Sequence, residues 1–205
     1  VIDDSMQCES LSLEGVQVQK MQIVSKKMKK LLIKTCNLPD EYTINTPNLQ
    51  TLGLKETYVK KLQYGKMDKL KYLSLGLNVI QNGKEKASPV TVLDLQKSKN
   101  IAELSVTGCR INKLDLSPTN KTLRLVSITQ SGKYPIKQVR LGKMAALKGL
   151  SVSAKCASID VSKCSRLNTL ECASYGIFKV KLPKSVQYLT LTSLDTVSYT
   201  HLRAH

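Results

Sequence analysis

The sequence has no tryptophan and a single phenylalanine, so any interior must be aliphatic, built from Leu, Val and Ile. It has two histidines, His201 and His205, and both fall within the last five residues. No run of 18 uncharged apolar residues exists, so no segment reads as a membrane-spanning helix. The six cysteines include no C-x-x-C pair and show no metal-ligand spacing. The chain begins at Val1 without Met and without a basic-then-apolar signal, which leads us to expect either a removed leader or a start at a cut. Arginine is scarce: 27 of the 32 basic residues are lysine.

What is present is a spacing. The stretch LSVTGCRINKLDLS at 104–117 belongs to a unit of two apolar triplets, Ile101, Leu104, Val106 and then Ile111, Leu114, Leu116. Cys8, Leu11, Leu13 followed by Val18, Met21, Ile23 repeat it, as do Leu49, Leu52, Leu54 followed by Val59, Leu62, Tyr64. A fourth copy is Leu167, Leu170, Cys172 followed by Ile177, Val180, Leu182. Looser copies are anchored at Leu31, Leu73, Val126, Leu150 and Leu189. Successive anchors from Leu11 to Leu189 are 20, 21, 21, 31, 22, 24, 20 and 19 residues apart.

One such unit is too small to bury its own apolar face, whereas stacked units bury one another's. Each buried aliphatic side chain contributes roughly 1.5–3 kcal/mol. Both triplets alternate with period two, which predicts short parallel strands on both faces of each coil and little helix. The expectation is a β-dominated solenoid of about nine coils of 19–24 residues, one of them 31, occupying 1–196 as a single domain. Neither the first nor the last unit has the polar character of a cap, so we expect truncation at both ends and exposed aliphatic surface there.

A period near 21 carrying L-x-x-L-x-L resembles the leucine-rich repeats. Cys36 and Cys109, in LLIKTCNL and LSVTGCRI, stand where that family often has Asn or Cys. More narrowly, Leu93-Asp94-Leu95, Leu114-Asp115-Leu116-Ser117, Ile159-Asp160-Val161-Ser162 and LECASYGIFKVKL resemble bacterial repeats of the form LxxLxCxxNxLxxLDLSxNxxL. The resemblance covers about residues 8–194, without the Asn ladder. It implies a leucine-rich repeat solenoid, a buried thiol or polar group bonding turn backbone of the neighbouring coil, a secreted or cell-surface location, and a binding role. Separately, VSYTHLRAH at 197–205 resembles a translated sequencing adapter. On that resemblance 197–205 is a non-native tail, and the native chain has no histidine.

Two insertions break the period. Residues 76–89 read as a loop from their Gly, Asn, Lys and Pro, and 129–135 lengthen a later coil. Such insertions either drift on a solvent face or serve binding. Cys8 and Cys172 fall at inward positions and read as small hydrophobes. Cys156 and Cys164 are the one pair near enough to turns to consider as a disulfide.

The net charge is +17, and its lysines recur in the turn that leads each second triplet into the next coil. Lys26, Lys27, Lys66, Lys69, Lys97, Lys99, Lys121, Lys143, Lys163 and Lys184 are the candidate contacts, accompanied by Lys29, Lys30, Lys71, Arg124, Lys148 and Arg166. Stacking would set these turns along one edge as a basic ridge. The ridge reads either as a contact for an anionic partner, such as acidic polysaccharide or a membrane surface, or as a solvated edge that discourages association. Nucleic acid fits less well, because base and phosphate readers favour arginine's bidentate fork and the eight tyrosines form no periodic stacking platform.

The outward positions of the first strand, Ser12, Gly53, Ser74, Ser105, Ser127, Ser151 and Thr190, either hydrogen-bond an extended ligand or are ordinary exposed filler. Catalysis is not expected. Without native His the common Ser–His and Cys–His pairs are missing, and Asp94, Asp115 and Asp160 recur once per coil as structural ladders do. No metal site or cofactor is expected. The reading is a non-catalytic protein- or ligand-binding repeat, with a structural surface spacer as the alternative.

Overall fold

The structure, a computed structural model, describes residues 1–18, 22–39, 41–130, 136–154, 158–174 and 179–193. In chain order the strands are β1 Ser10–Glu14, β2 Lys30–Lys34, β3 Glu41–Ile44, β4 Thr51–Lys55, β5 Lys61–Tyr64 and β6 Tyr72–Gly76. They continue as β7 Asn78–Gln81, β8 Lys84–Ala87, β9 Glu103–Thr107, β10 Lys113–Asp115, β11 Leu125–Thr129 and β12 Gln138–Arg140. The last are β13 Gly149–Ala154, β14 Ser158–Asp160, β15 Thr169–Ser174, β16 Lys179–Lys181 and β17 Tyr188–Ser193. Helix among the described residues is limited to two 3-10 turns, Leu95–Lys97 and Ser117–Thr119.

The chain is a parallel β-solenoid. Nine strands form one sheet in the order β1-β2-β4-β6-β9-β11-β13-β15-β17, so eight complete turns separate the first from the last. Neighbouring pairs are parallel, and the register sets anchor against anchor: Leu11, Leu31, Leu52, Leu73, Leu104, Val126, Leu150, Leu170 and Leu189 form one row. A slip of one residue in any strand would turn its aliphatic side chains to solvent, so the L-x-L spacing fixes the pairing. In β2, Leu31 and Ile33 are buried while Lys30 lies exposed. One aliphatic core runs from Ile23 to Cys172, and its members are at most 8% exposed. The outermost strands are less covered: Leu11 and Leu13 are half-buried, and Leu189 is 42% exposed.

The second face is built in pieces. β3 pairs with β5, β10 with β12 and β14 with β16, all parallel. Single bridges join Ile2 to Ile23 and Ile23 to Ile44. The expected strand around Leu93 and Leu95 is not formed: a 3-10 turn follows at Leu95–Lys97, and the Asp94 carboxylate accepts from the Gln96 N–H at its start. Between the faces the chain turns in the left-handed region at Gly15, Thr35, Glu56 and Gly108, each four residues beyond its anchor. Gly suits this corner; Thr35, at φ 52°, holds a conformation a β-branched residue seldom adopts, and its hydroxyl donates to the Glu56 carboxylate at 3.1 Å.

The 76–89 insertion is a β-hairpin rather than an irregular loop. β7 and β8 pair antiparallel, and Asn82 and Gly83 both have positive φ, as a two-residue type I′ turn requires. The hairpin is spliced in at one point. The Ser88 N–H donates to the Leu77 carbonyl at 2.8 Å and to the Gly108 carbonyl of the next coil at 3.1 Å. Residues 78–87 thus bulge out of an otherwise regular coil in which Ser88 stands where the next coil has Cys109. Removing ten residues from the 31-residue step leaves 21, the ordinary period.

Candidate functional site

The ridge is assembled by hydrogen bonds between successive turns. The Asn48 amide donates to the Lys26 carbonyl at 2.7 Å, the Asn100 amide to the Asp68 carbonyl at 2.7 Å, and the Thr122 hydroxyl to the Lys99 carbonyl at 2.9 Å. Backbone bonds continue the series, Met67 N–H to Lys97 C=O and Ala145 N–H to Asn120 C=O. These turns place Lys26, Lys66, Lys69, Lys97, Lys99, Lys121 and Lys143 along one edge, all exposed. Lys27 is half-buried; Lys163 and Lys184 lie exposed in the corresponding turns of later coils. The ridge has a gap at 45–48, where the turn is Asn-Thr-Pro-Asn and carries no cation.

Several cations elsewhere on the solenoid are paired across coils, whereas Lys30, Lys84, Lys113 and Lys179 form no ion pair among the described residues. Glu14–Lys34, Glu41–Lys61, Asp115–Arg140 and Asp160–Lys181 are registered neighbours with separations of 2.5, 3.2, 3.8 and 3.7 Å. Glu9–Lys29, at 2.7 Å, joins the residues just before two main strands. The Glu14 carboxylate, bonded by Lys34, is held below its usual range, and the Lys34 ammonium above its own. On the ridge the pattern differs. Lys66 meets Asp68 at 2.9 Å, and Lys97 donates to the Tyr64 carbonyl at 3.3 Å. Among the described residues no ion pair involves Lys26, Lys27, Lys69, Lys99, Lys121, Lys143, Lys163 or Lys184.

The recurring aspartates are turn elements. The Asp94, Asp115 and Asp160 carboxylates each accept from the backbone N–H two residues on, at 3.0, 2.9 and 3.0 Å. Hydrogen bonds from Ser162, hydroxyl first and then N–H, hold Asp160 below the usual carboxylate range. The thiols are structural too. Burial pushes Cys109 up to about 12 and raises Cys164, so both stay protonated and poorly nucleophilic near neutral pH. Cys36 and Cys109 donate to carbonyls of their own coil, Lys34 at 3.1 Å and Thr107 at 3.6 Å, rather than bonding the neighbouring coil. The polar residues at the same place do reach the neighbouring coil: the Thr57 hydroxyl contacts the Lys55 carbonyl at 2.8 Å and the Ile33 carbonyl of the previous coil at 3.4 Å, and the Ser88 hydroxyl accepts from the Val59 N–H at 3.0 Å. Cys164 is a free thiol, and its expected partner Cys156 lies outside the described residues, as does the 197–205 tail. Among the described residues no three His, Cys, Asp or Glu side chains could together hold a metal ion, and no helix is long and apolar enough to cross a membrane.

The outward face of the main sheet carries a second feature. Ser74, Ser105, Ser127 and Ser151 fall in one register row, and Tyr72, Glu103, Leu125, Gly149 and Thr169 in the row beside it. Together they line an open trough of about 360 Å³. At Gly149 the outward position carries no side chain and Leu125 leans into it, so that a Cβ there would come within 2.9 Å of Leu125 Cδ2. A second open groove shares Leu125, Gly149 and Thr169 and is edged by Lys148, Arg166 and Asn168. The trough therefore opens toward the basic edge. The serines were legible as an outward row; the trough is assembled from residues of five strands about 20 or more apart in the chain, which no local pattern marks.

Comparison with protein-family models, curated proteins and solved structures finds no match for this chain.

Proposed function

We propose that the chain is a non-catalytic binding module of leucine-rich repeat type, from a secreted or surface-displayed bacterial protein, whose basic edge contacts an anionic partner. One observation carries this reading. Nine of the ten candidate lysines on the turn edge form no ion pair among the described residues, Lys66 being the exception, while Lys34, Lys61, Arg140 and Lys181 on the strands meet carboxylates of the neighbouring coil. Parallel coils repeat at about 4.8 Å, inside the Debye length of about 8 Å at physiological salt. The fields of neighbouring turns therefore add, and a polyanion laid along the edge meets several turns at once.

The test is a binding isotherm for the whole chain with an acidic polysaccharide, and in parallel with anionic vesicles, across a salt series. The expected result is saturable binding at low salt that weakens steeply as salt is added. A spacer without a ligand would show no saturable binding to either at any salt, and that result would overturn the proposal.

A further inference from the structure

Resting on that reading, we infer that the anionic partner is a linear glycan in which a uronate alternates with a neutral sugar, and that it seats where the sheet-face trough meets the basic edge at Gly149. Lys148 and Arg166 stand on the edge side of this junction, and the trough runs from it across the main strands. Neither cation forms an ion pair among the described residues. They offer a bidentate fork and a point charge to a carboxylate. Leu125, 48% exposed, gives the apolar face of a sugar ring something to lie on. Ser127 and Ser151 offer hydroxyls to its polar rim.

The trough also carries Glu103 and Glu171. A polymer anionic along its whole width would be repelled by them, whereas an alternating chain can turn carboxylates to the cationic side and hydroxyls to the glutamates. The same feature argues against a lipid surface. A bilayer is flat and touches what protrudes, so it would rest on the turn lysines and leave the trough unused. The repeat length agrees as well. Two coil steps span roughly 9.6 Å, close to one disaccharide of an extended β-linked glycan, so ligand and coils stay in step over several units.

The test uses a hyaluronan oligosaccharide, a chitin oligosaccharide of equal length as its neutral counterpart, and phosphatidylserine-containing vesicles. Gly149→Val keeps every charge and adds bulk at the junction of trough and edge, where a Cβ meets the end of the Leu125 side chain. It should weaken hyaluronan-oligosaccharide binding about tenfold or more and leave vesicle binding within twofold. Lys148→Gln with Arg166→Gln should do the same to the oligosaccharide, whereas Lys84→Gln with Lys113→Gln, an equal loss of charge on the hairpin and the second face, should change it less than twofold. The chitin oligosaccharide should bind at least tenfold more weakly than hyaluronan. Should Gly149→Val not fold, as judged by its thermal transition, Ser151→Val carries the same test, since valine suits a strand and blocks the same floor. Equal losses from the two charge pairs, together with no effect of the Gly149 variant, would overturn the site and leave net charge alone as the attraction. Binding to vesicles but not to the oligosaccharide would overturn the glycan in favour of a membrane. An absence of binding to every anion would overturn the underlying reading itself.

Discussion

Replacing Lys26, Lys66, Lys97 and Lys143 together with glutamine is expected to weaken binding of a long acidic polysaccharide at least several-fold at low salt. The four lie on four turns of one edge, all exposed. An exposed charge contact contributes roughly 0.2–1 kcal/mol, so four contribute about 1–4 kcal/mol. Since about 1.4 kcal/mol is one factor of ten in affinity, the loss falls between several-fold and several-hundred-fold. The matched control is Lys84→Gln, Lys86→Gln, Lys113→Gln and Lys181→Gln. It removes equal charge from the hairpin and the second face, where Lys86 lies over the Tyr58 ring and Lys181 faces Asp160 at 3.7 Å. The control should change affinity less than threefold. Equal losses from both sets would mean that net charge alone attracts the polyanion and that the stacking of turns is irrelevant to it.

The second large effect is on stability. Leu104→Ala should cost about 2–5 kcal/mol, the usual range for truncating a buried leucine, measured by urea unfolding. Leu104 is 3% exposed and sits between Leu73 and Val126 in the middle of the anchor row. A solenoid is held by nearest-neighbour interfaces, so a cavity there weakens two of them and separates the array into halves. Hydrogen exchange should accelerate first in β6, β9 and β11. Leu189→Ala is the comparison: the same row, but on an outermost strand and 42% exposed, with an expected cost below about 1 kcal/mol. A loss below 1 kcal/mol at Leu104 would mean that the anchors do not form a continuous core.

The anchor row was readable from the sequence because a parallel coil repeats the same inward positions at the same spacing, so chain distance maps directly onto register. The first-face strands and the aliphatic core followed from that alone. The hairpin at 78–87 was read as a loop although Gln-Asn-Gly-Lys carries the dipeptide of a type I′ turn. Its strands, Asn-Val-Ile-Gln and Lys-Glu-Lys-Ala, bury little, and so show no alternation to recognise. The second-face strand expected at Leu93 and Leu95 is missing, and the Asp94 carboxylate caps a 3-10 turn there. At Asp115 the same contact follows a strand, so composition did not separate the two. Of the candidate site, the ridge was legible because its lysines recur in chain order at most turns. Their lack of partners was not, since it depends on where carboxylates sit one coil away.

The basic edge is tested most directly by lysine-acylation footprinting of the whole chain, free and saturated with an acidic polysaccharide, with each lysine quantified. Lys69, Lys99, Lys121, Lys143 and Lys163 should lose at least half their reactivity on binding, while Lys61, Lys113 and Lys181 on the second face should keep theirs. Equal protection of both sets, or protection confined to the second face, would contradict the assignment of the turn edge as the anionic contact.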